Sequence, residues 1–245
     1  MKKAQIITTA EIKGGTGKTT TAASIAQAAA IEGKKVLIID LDAQANITSL
    51  FGASITAPGA FELLQEGAAA LDVIQETEQG PDIIAGAPGL YYAELRKIET
   101  LANAIEPIIT KYDLIIIDTP PALNALTFNA MQASTGLVIS LVADIGSADG
   151  LLLTLDHARK VKESNPKLKI LGAVVTQYDN RANINRRLRQ LVEDAATAAK
   201  CPYLGEIRQG VSIKEAAAYC KNLFEYAPNS KPAADYMRVY KQIIK

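Results

Sequence analysis

Short runs of apolar, mostly β-branched residues alternate along the chain with longer segments rich in Ala and Leu. Several short runs are apolar throughout, such as LIIID before Thr119 and VLIID before Leu41. Strands buried on both faces have this pattern, because helices cover both sides of a parallel sheet. The pattern predicts strands over residues 5–9, 36–40, 82–85, 114–118, 137–142, 170–176 and 203–207.

The longer segments predict helices over residues 18–32, 90–111, 148–164, 183–199, 213–222 and 233–244. Gly33 follows the first of them, at a position where a glycine commonly ends a helix. The alternation of strands and helices predicts an α/β fold, a doubly wound, mostly parallel sheet with helices on both faces. No repeat, low-complexity tract or linker interrupts the pattern, so we expect one domain over residues 1–245.

Composition and charge argue against a disordered chain and against a protein that attracts nucleic acid through its overall charge. Hydrophobic residues make up 49% of the 245 residues and charged residues 21%, which is ordinary for a globular domain. The 26 basic residues balance the 26 acidic ones, so any nucleic-acid site must be a local patch.

Cysteine usage and the chain start bear on the compartment. Cys201 and Cys220 lie apart and form no CxxC motif, which indicates a reduced, inert pair of thiols. The start MKKAQIITTAEIKGG is not a signal peptide, and no stretch approaches the roughly 18 apolar residues of a membrane span. We therefore expect a cytoplasmic protein.

Residues 11–21, EIKGGTGKTTT, join a predicted strand to a predicted helix. Gly14, Gly15 and Gly17 allow a tight turn whose backbone N–H groups point at phosphate oxygens. The N-terminus of the following helix favours the same anion. The segment therefore predicts a phosphate-binding loop with Lys13, Gly14, Gly15, Thr16, Gly17, Lys18, Thr19 and Thr20 as the nucleotide-binding residues.

Three side chains at the end of this loop have expected roles. Lys18 can reach the β- and γ-phosphates, the Thr19 hydroxyl is placed to ligate Mg²⁺, and Thr20 is expected at the α-phosphate. The loop departs from the general pattern GxxxxGK[ST], because Ile12 stands where the first glycine belongs. Lys13 stands instead directly before the glycine pair.

KGGTGKTT over residues 13–20 resembles the deviant Walker A motif of the ParA/Soj family, a branch that also contains MinD and the nitrogenase iron protein. DLDAQAN at 40–46 resembles the family's second motif, and YDLIIIDTPPALN at 112–124 resembles its Walker B segment. Residues 174–185 and 210–236 resemble its C-terminal region, so the similarity covers nearly the whole chain. The resemblance implies an ATPase that binds ATP and Mg²⁺ and hydrolyses ATP slowly, as a switch.

The resemblance also implies roles for the charged residues. Lys13 would reach across a homodimer interface to the partner's nucleotide, much as an arginine finger does. Asp42 would orient or deprotonate the attacking water. Asp118 would hold Mg²⁺, directly or through water, whereas Asp40 would be a Mg²⁺-shell or a structural residue. The turn at 119–121 is a candidate γ-phosphate sensor.

In the ParA/Soj family an ATP-bound sandwich dimer binds DNA without sequence preference and is released when a ParB-like centromere-binding protein stimulates hydrolysis. The resemblance therefore implies DNA partition, of a plasmid or a chromosome, by a protein that is nucleoid-associated when ATP-bound. The local cation patch that could contact DNA phosphates consists of Arg181, Arg186, Arg187 and Arg189, with Lys214 as a further candidate.

Two segments depart from the family. In IRQGVSIKEAAA, residues 207–218, Ser212 aligns with an arginine that contributes to DNA binding in relatives, and Arg208 and Lys214 could compensate. The proline-rich turn that usually follows the 137–142 strand is here ADIG, residues 143–146.

Three other functions have to be considered. A MinD-like membrane-cycling ATPase is an alternative because the tail YMRVYKQIIK is amphipathic, although such a tail more often packs on the sheet and no stable membrane association is expected. An iron–sulfur reductase is disfavoured because residues 86–135 hold no cysteine. A nucleotide-gated scaffold that positions another cargo stays open.

Overall fold

A computed structural model describes residues 3–244 of the chain. The strands, numbered along the chain, are β1 Gln5–Ala10, β2 Val36–Asp40, β3 Ile74–Gln75, β4 Asp82–Ile84, β5 Leu114–Asp118, β6 Gly136–Val142, β7 Lys169–Tyr178 and β8 Tyr203–Arg208. They form one sheet in the spatial order β3-β4-β2-β5-β1-β6-β7-β8. All neighbouring pairs are parallel except β3 and β4, which are antiparallel. The predicted doubly wound, mostly parallel sheet is confirmed.

The α-helices of the described residues are α1 Lys18–Ile31, α2 Asn46–Leu50, α3 Thr100–Ile105, α4 Ala125–Ala133, α5 Ser147–Ser164, α6 Asn183–Ala198, α7 Val211–Ala218, α8 Leu223–Tyr226 and α9 Lys231–Ile243. In this part of the chain, α1 to α6 lie between strands in the sequence and α7 to α9 follow β8. Five of the six predicted helices correspond to one of these, namely α1, α5, α6, α7 and α9, with ends shifted by at most a few residues.

The prediction of one helix over residues 90–111 is wrong. The structure has a 3₁₀ turn at Pro88–Tyr92, an irregular stretch, the short α3, and a second 3₁₀ turn at Glu106–Ile108. Pro107 lacks the backbone N–H that would continue the α-helical hydrogen bonds, so α3 ends at Ile105 and the chain continues as the 3₁₀ turn. Sequence analysis also missed α4, whose start is capped by the Asn124 side chain accepting from the backbone N–H groups of Leu126 and Thr127.

Successive residues of each central strand bury opposite faces of the sheet. Ile116 of β5 packs on one face with residues of α1 and α9. Ile115 and Ile117 pack on the other face with residues of α3 and α4. Because both faces are covered, every residue of β2 and β5 is buried, which explains why these strands read as continuous apolar runs.

Helix α1 lies against the middle of the sheet and is itself almost entirely buried. Its central residues are short, with Ala22, Ala26 and Ala28 wholly inaccessible to solvent. Short side chains let the helix axis approach the strands closely, so the loop that precedes α1 is held on a rigid base. The Ala-rich composition of this segment is thereby explained.

The C-terminal helix α9 packs on the same face as α1. Tyr236, Val239, Tyr240 and Ile243 are buried, and the Tyr240 hydroxyl donates to Glu32 Oε2 at 2.9 Å. The expectation that this amphipathic segment packs on the body of the protein is therefore confirmed.

Within residues 3–244, no helix is long and apolar enough to cross a lipid bilayer. Cys201 is buried and Cys220 exposed, and both are free thiols.

Strand β1 lies between β5 and β6, so β2 to β5 lie on one side of it in the sheet and β6 to β8 on the other. Such a switch in strand order opens a crevice at the carboxyl ends of the strands, and ligands of doubly wound folds bind there. The predicted phosphate loop follows β1 directly, and Asp40 and Asp118 end the neighbouring strands β2 and β5.

Candidate functional site

The segment between β1 and α1 turns tightly at two glycines. Gly15 and Gly17 have φ angles of +74° and +79°, in the left-handed region that side chains disfavour. Gly17 is constrained twice, because a Cβ there would also lie 2.8 Å from the Thr176 hydroxyl oxygen. Helix α1 begins at Lys18, immediately after the turn, so the unpaired N–H groups of its first turn lie next to the glycine loop.

Side chains near the end of β7 hold this loop from the opposite side. The Thr176 hydroxyl donates to the carbonyl oxygen of Thr16 at 2.8 Å, and Gln177 Nε2 donates to the carbonyl oxygen of Gly15 at 2.7 Å. Both carbonyl oxygens are therefore engaged by side-chain donors, so neither presents an unpaired acceptor where an anion would bind the loop. Sequence analysis missed both residues, since the contacts join positions 160 and 162 residues apart.

Lys18 is 5% exposed and lines the cavity over this loop. Its ammonium group donates to the carbonyl oxygen of Lys13 at 3.1 Å. Burial lowers the pKa of Lys18, and the carboxylates of Asp118, Glu11 and Asp42 oppose that shift. A cation that has lost much of its hydration is well placed to gain from an incoming phosphate.

Two aspartates face each other at the ends of adjacent strands. Asp40 of β2 and Asp118 of β5 are partners in the sheet register, and Thr9 of β1 is the next partner of Asp118. Both carboxylates are inaccessible to solvent. Burial raises the pKa of each, and for Asp118 the nearby Asp40 carboxylate raises it further, against the lowering effect of Thr19 and Lys18.

The hydrogen bonds of the two aspartates separate their roles. Asp40 Oδ1 accepts from the Asp42 N–H at 3.0 Å, and its Oδ2 accepts from the Thr48 hydroxyl at 2.7 Å. Asp118 Oδ1 accepts a long bond of 3.3 Å from Thr9, and its Oδ2 has no partner within hydrogen-bond distance among the described residues, although the Thr19 hydroxyl is near enough to lower the pKa. Asp40 is thus satisfied by the fold, whereas Asp118 offers a free oxygen.

That donor set fits a Mg²⁺ ion. Among residues 3–244 no group of three or more His, Cys, Asp or Glu side chains is arranged to hold a metal. Mg²⁺ typically uses one or two protein oxygens, phosphate oxygens and water, so such a cluster is not required. The free oxygen of Asp118 and the hydroxyl of Thr19 could supply the protein ligands.

The cavity over the loop has a volume of about 600 Å³. It is lined by Gly14, Gly15, Thr16, Gly17, Lys18, Thr19 and Thr20 of the loop, and by Asp42, Gln44, Asn46, Ser49, Leu50, Pro121, Gln177 and Ala217 around it. All predicted loop residues except Lys13 therefore share one cavity with Asp42. Asp42 is 8% exposed, and its Oδ1 accepts from the Gln44 N–H at 3.0 Å.

A second cavity of about 200 Å³ adjoins the first at Gly17 and Thr20. Gln177, Gln209 and Ile213 line it, so it combines amide groups with an apolar wall. Its size and mixed polarity suit a flat heterocycle. Sequence analysis had left the residues that contact adenine undetermined.

Lys13 is turned away from the phosphate cavity. Its ammonium group forms an ion pair with Asp144 Oδ1 at 2.9 Å, and both side chains are about two-fifths exposed, at 40% and 44%. Asp144 belongs to the turn that replaces the family's proline-rich segment. Sequence analysis noted that departure without connecting it to Lys13.

Glu11 is a further residue that sequence analysis missed. Its carboxylate is 1% exposed and lies between the start of the phosphate loop and the first turn of α5, where a Cβ on Gly150 would sit 2.6 Å from Oε1. Burial raises the pKa of Glu11, against hydrogen bonds from the Ile12 and Lys13 N–H groups. In the sequence, only the position of Glu11 directly before the glycine loop could have indicated that it belongs to the site.

The predicted DNA-binding arginines do not form one uniform patch. Arg189 contacts Glu193 and lies 2.6 Å from Glu206 Oε1, with its guanidinium over the Tyr203 ring. Arg181 pairs with Asp179 at 2.6 Å but is 85% exposed.

Arg186 and Arg187 are exposed on the outer part of α6, and Lys214 is exposed on α7. Lys214 also lines a cavity of about 500 Å³ together with Arg181, Arg208 and Lys231. Arg208 forms a two-bond ion pair with Asp235. Positive charge is therefore available on either side of the loop that follows β7.

Comparison with known proteins places this geometry in a family. A family model described as an AAA domain matches residues 4–170, which is more than half of the chain. The chromosome-partitioning ATPase Soj of Thermus thermophilus is 34% identical over 252 residues, covering 99% of this chain and 96% of the relative. The sporulation initiation inhibitor protein Soj of Bacillus subtilis is 32% identical over 250 residues, covering 98% of each.

Among solved structures, the septum site-determining protein MinD of Pyrococcus horikoshii, complexed with Mg-ADP, superposes with a TM-score of 0.82 at 25% identity. The match covers 99% of this chain and 96% of the MinD chain. The deviant phosphate loop lies at the carboxyl ends of the sheet strands, and both Soj relatives align with this chain over nearly their whole length. The chain therefore belongs to the ParA/Soj family of P-loop ATPases.

Proposed function

We propose that this protein is an ATP-dependent DNA partition ATPase that works as a slow switch. The observation that carries the proposal is the combination of an N–H-lined loop, a buried Lys18 and a free Asp118 oxygen at one edge of the sheet. Relatives named as chromosome-partitioning proteins support DNA partition as the process that the switch controls.

The triphosphate would occupy the larger cavity, with Lys18 at the β- and γ-phosphates and the N–H groups of residues 14–20 around the chain of phosphates. On binding, the Lys18 ammonium would exchange the carbonyl oxygen of Lys13 for phosphate oxygens, a stronger, charge-assisted contact. The adenosine would lie in the adjoining cavity beside Thr20, Gln177 and Gln209.

Mg²⁺, when bound, would neutralise charge on the β- and γ-phosphates. Thr19 and Asp118 are the residues that would hold it, since Asp118 has an unused buried oxygen. Asp40 would keep its structural hydrogen bonds to Thr48 and to the backbone of Asp42, and so would fix the position of the Asp42 backbone.

Asp42 would orient or deprotonate the water that attacks the γ-phosphate. It lies on the wall of the phosphate cavity, and its Oδ1 is held by the Gln44 N–H. A carboxylate fixed by the backbone loses little entropy when it acts as a base. Lys13 of each subunit would reach the nucleotide of the other in an ATP-bound sandwich homodimer.

The dimer would bind DNA without sequence preference, through phosphate contacts. Arg186, Arg187 and Lys214 are the exposed cations best placed for this, with Arg181 close to them. Because the chain has no net charge, the attraction must come from this local region. A ParB-like centromere-binding protein would stimulate hydrolysis and release the dimer from the nucleoid.

The membrane-cycling alternative finds less support in the fold. The apolar residues of α9 lie against α1 and the sheet, and the residues it exposes are Lys231, Ala234, Arg238, Lys241 and Gln242. A helix needs an exposed apolar face to lie on a bilayer. We therefore propose DNA as the surface that the ATP-bound form occupies.

A comparison of ADP and ATP in size-exclusion chromatography and gel-mobility assays, with random duplex DNA, tests the proposal. We expect a monomer with ADP, and with ATP a dimer that retains DNA at low salt and releases it as salt rises. Retention that does not depend on the nucleotide, or no retention by the ATP-bound form, would contradict a partition function. Lys18→Ala should remove the ATP response, while Lys34→Ala, at a lysine after α1 and away from the loop, serves as the matched control.

A further inference from the structure

The ion pair between Lys13 and Asp144 opposes the proposed movement of Lys13 to a partner subunit. Lys13 must leave its own subunit if it is to reach a partner's nucleotide, yet in the single chain its ammonium lies 2.9 Å from Asp144 Oδ1. The space for that ammonium is provided by Gly146, since a Cβ there would lie 2.5 Å from Lys13 Nζ. Gly146 has a φ angle of −97°, so its backbone would accept a side chain without strain.

Asp144 does not depend on Lys13 for its hydrogen bonds. Its Oδ1 also accepts from the Ser147 hydroxyl at 2.7 Å and from the Gly146 N–H at 3.0 Å, both at the start of α5. When Lys13 departs, the carboxylate keeps these two donors and the favourable N-terminal end of the helix. The pair can therefore open without leaving a buried, unpaired charge.

A backbone contact of Lys13 connects this ion pair to the proposed nucleotide site. The Lys13 carbonyl oxygen accepts from the Lys18 ammonium at 3.1 Å, and that contact is the one an incoming phosphate replaces. Arrival of the triphosphate would thus remove Lys18 from the Lys13 carbonyl while Asp144 still holds the Lys13 side chain. Dimerisation would then have to break one such ion pair in each subunit.

We propose that Asp144 is a positioning residue that holds Lys13 inside its own subunit and so restrains ATP-driven dimerisation. The inference rests on the proposed in-trans role of Lys13. Exposed and half-exposed ion pairs change equilibria by up to about 5-fold, so two pairs per dimer change the dimerisation constant by up to about 25-fold. A restraint of this size sets a threshold concentration without blocking the cycle.

Two variants release Lys13 by different means. Asp144→Asn removes the charge but keeps an oxygen for Ser147 and Gly146, whereas Gly146→Ala keeps the charge and fills the space of the ammonium. Asp156→Asn is the matched control, because it breaks an exposed ion pair with Lys160 on α5. Thermal unfolding checks that all three variants are folded.

The first measurement is the rate at which an amine-reactive ester modifies Lys13 in the nucleotide-free monomer, followed by peptide mass spectrometry. The second is the protein concentration at half dimerisation with a non-hydrolysable ATP analogue. We expect both releasing variants to raise Lys13 reactivity and to lower the dimerisation midpoint by several-fold, and the control to change only the reactivity of Lys160.

Unchanged Lys13 reactivity in both variants overturns the proposal, and so does raised reactivity with an unchanged or higher midpoint. A wild-type chain that stays monomeric with the analogue at every concentration overturns the proposed function itself, and the restraint with it. The reactivity measurement needs no dimer, so the two failures are distinguishable.

Discussion

Gly17 and Thr176 approach each other so closely that no side chain on residue 17 could be accommodated. A Cβ at that position would lie 2.8 Å from the Thr176 hydroxyl, which itself holds the carbonyl of Thr16. The end of β7 therefore shapes the phosphate loop as much as the loop's own glycines do.

Gly17→Ala should weaken nucleotide binding at least about 10-fold, because the side chain would displace Thr176 and strain a left-handed residue. Titration with a fluorescent ATP analogue measures the loss. Gly33→Ala is the control, since Gly33 has a φ angle of +77° but meets no atom within 4 Å. It should cost about 1 kcal/mol of stability and leave nucleotide binding intact. Equal binding by both variants would show that the close approach to Thr176 is not needed.

Asp42→Ala should accumulate the ATP-bound dimer, with hydrolysis reduced about 10²-fold and ATP affinity retained. Phosphate release and size-exclusion chromatography with ATP follow the two effects. Asp42→Asn keeps an acceptor for the Gln44 N–H, so its loop should stay in place while the base is lost. Normal turnover in the Asn variant would remove Asp42 from the chemistry.

The nucleotide-free protein should lose stability as pH rises from about 4 toward neutral. Burial raises the pKa of Asp118 and Asp40, so the folded state binds more protons than the unfolded state in this window. Stability from these groups is complete below the unfolded pKa of about 4 and falls as pH approaches the raised values.

Asp118→Asn should therefore flatten the fall of Tm between about pH 5 and pH 8 by roughly 2–4 °C, the change that about 1 kcal/mol produces at this chain length. The variant should also lose most of the stabilisation that Mg²⁺ adds to ATP binding. Asp72→Asn, at an exposed carboxylate, is the control for the loss of one negative charge. A profile for Asp118→Asn as steep as that of the wild type would contradict the assignment of a costly buried charge.

Arg186→Ala combined with Arg187→Ala should weaken DNA binding and reduce the slope of log K against log salt by about 1 for each phosphate that is no longer neutralised. Arg189→Ala should leave that slope unchanged and lower Tm by roughly 2–4 °C, since its guanidinium lies against Glu193, Glu206 and Tyr203. Salt titrations of fluorescence anisotropy with duplex DNA measure the slope. The reverse pattern between the two variants would place the DNA surface on the side of Arg189.

Much of the scaffold could be predicted from local pattern. The strands at 36–40 and 114–118 have the predicted bounds because burial on both faces leaves an unbroken apolar run. The glycine motif was likewise enough to locate the phosphate loop between β1 and α1. The prediction for residues 90–111 failed because Ala- and Leu-rich composition favours a helix while Pro107 and the irregular stretch before α3 do not continue one.

The rest depends on contacts between distant parts of the chain. Arg189 forms an ion pair with Glu206, whereas Arg187 is exposed, because only one face of α6 packs against β8. The sequence has four arginines within nine residues and does not indicate which of them faces β8. The pairing of Lys13 with Asp144 joins residues 131 positions apart. Glu11 gains its buried environment only when α5 packs over it.

The alignment of Asp40, Asp118 and Thr9 across three neighbouring strands has a practical consequence for following the cycle in solution. Strands locked in the centre of a sheet keep nearly fixed spacings, so a spectroscopic label on β1, β2 or β5 would stay silent while nucleotide turns over. Reporter dyes belong on the flanking segments 143–146 and 177–182, where Asp144 and Gln177 contact the phosphate loop. A distance change between those two segments, timed against phosphate release, would show which one moves first.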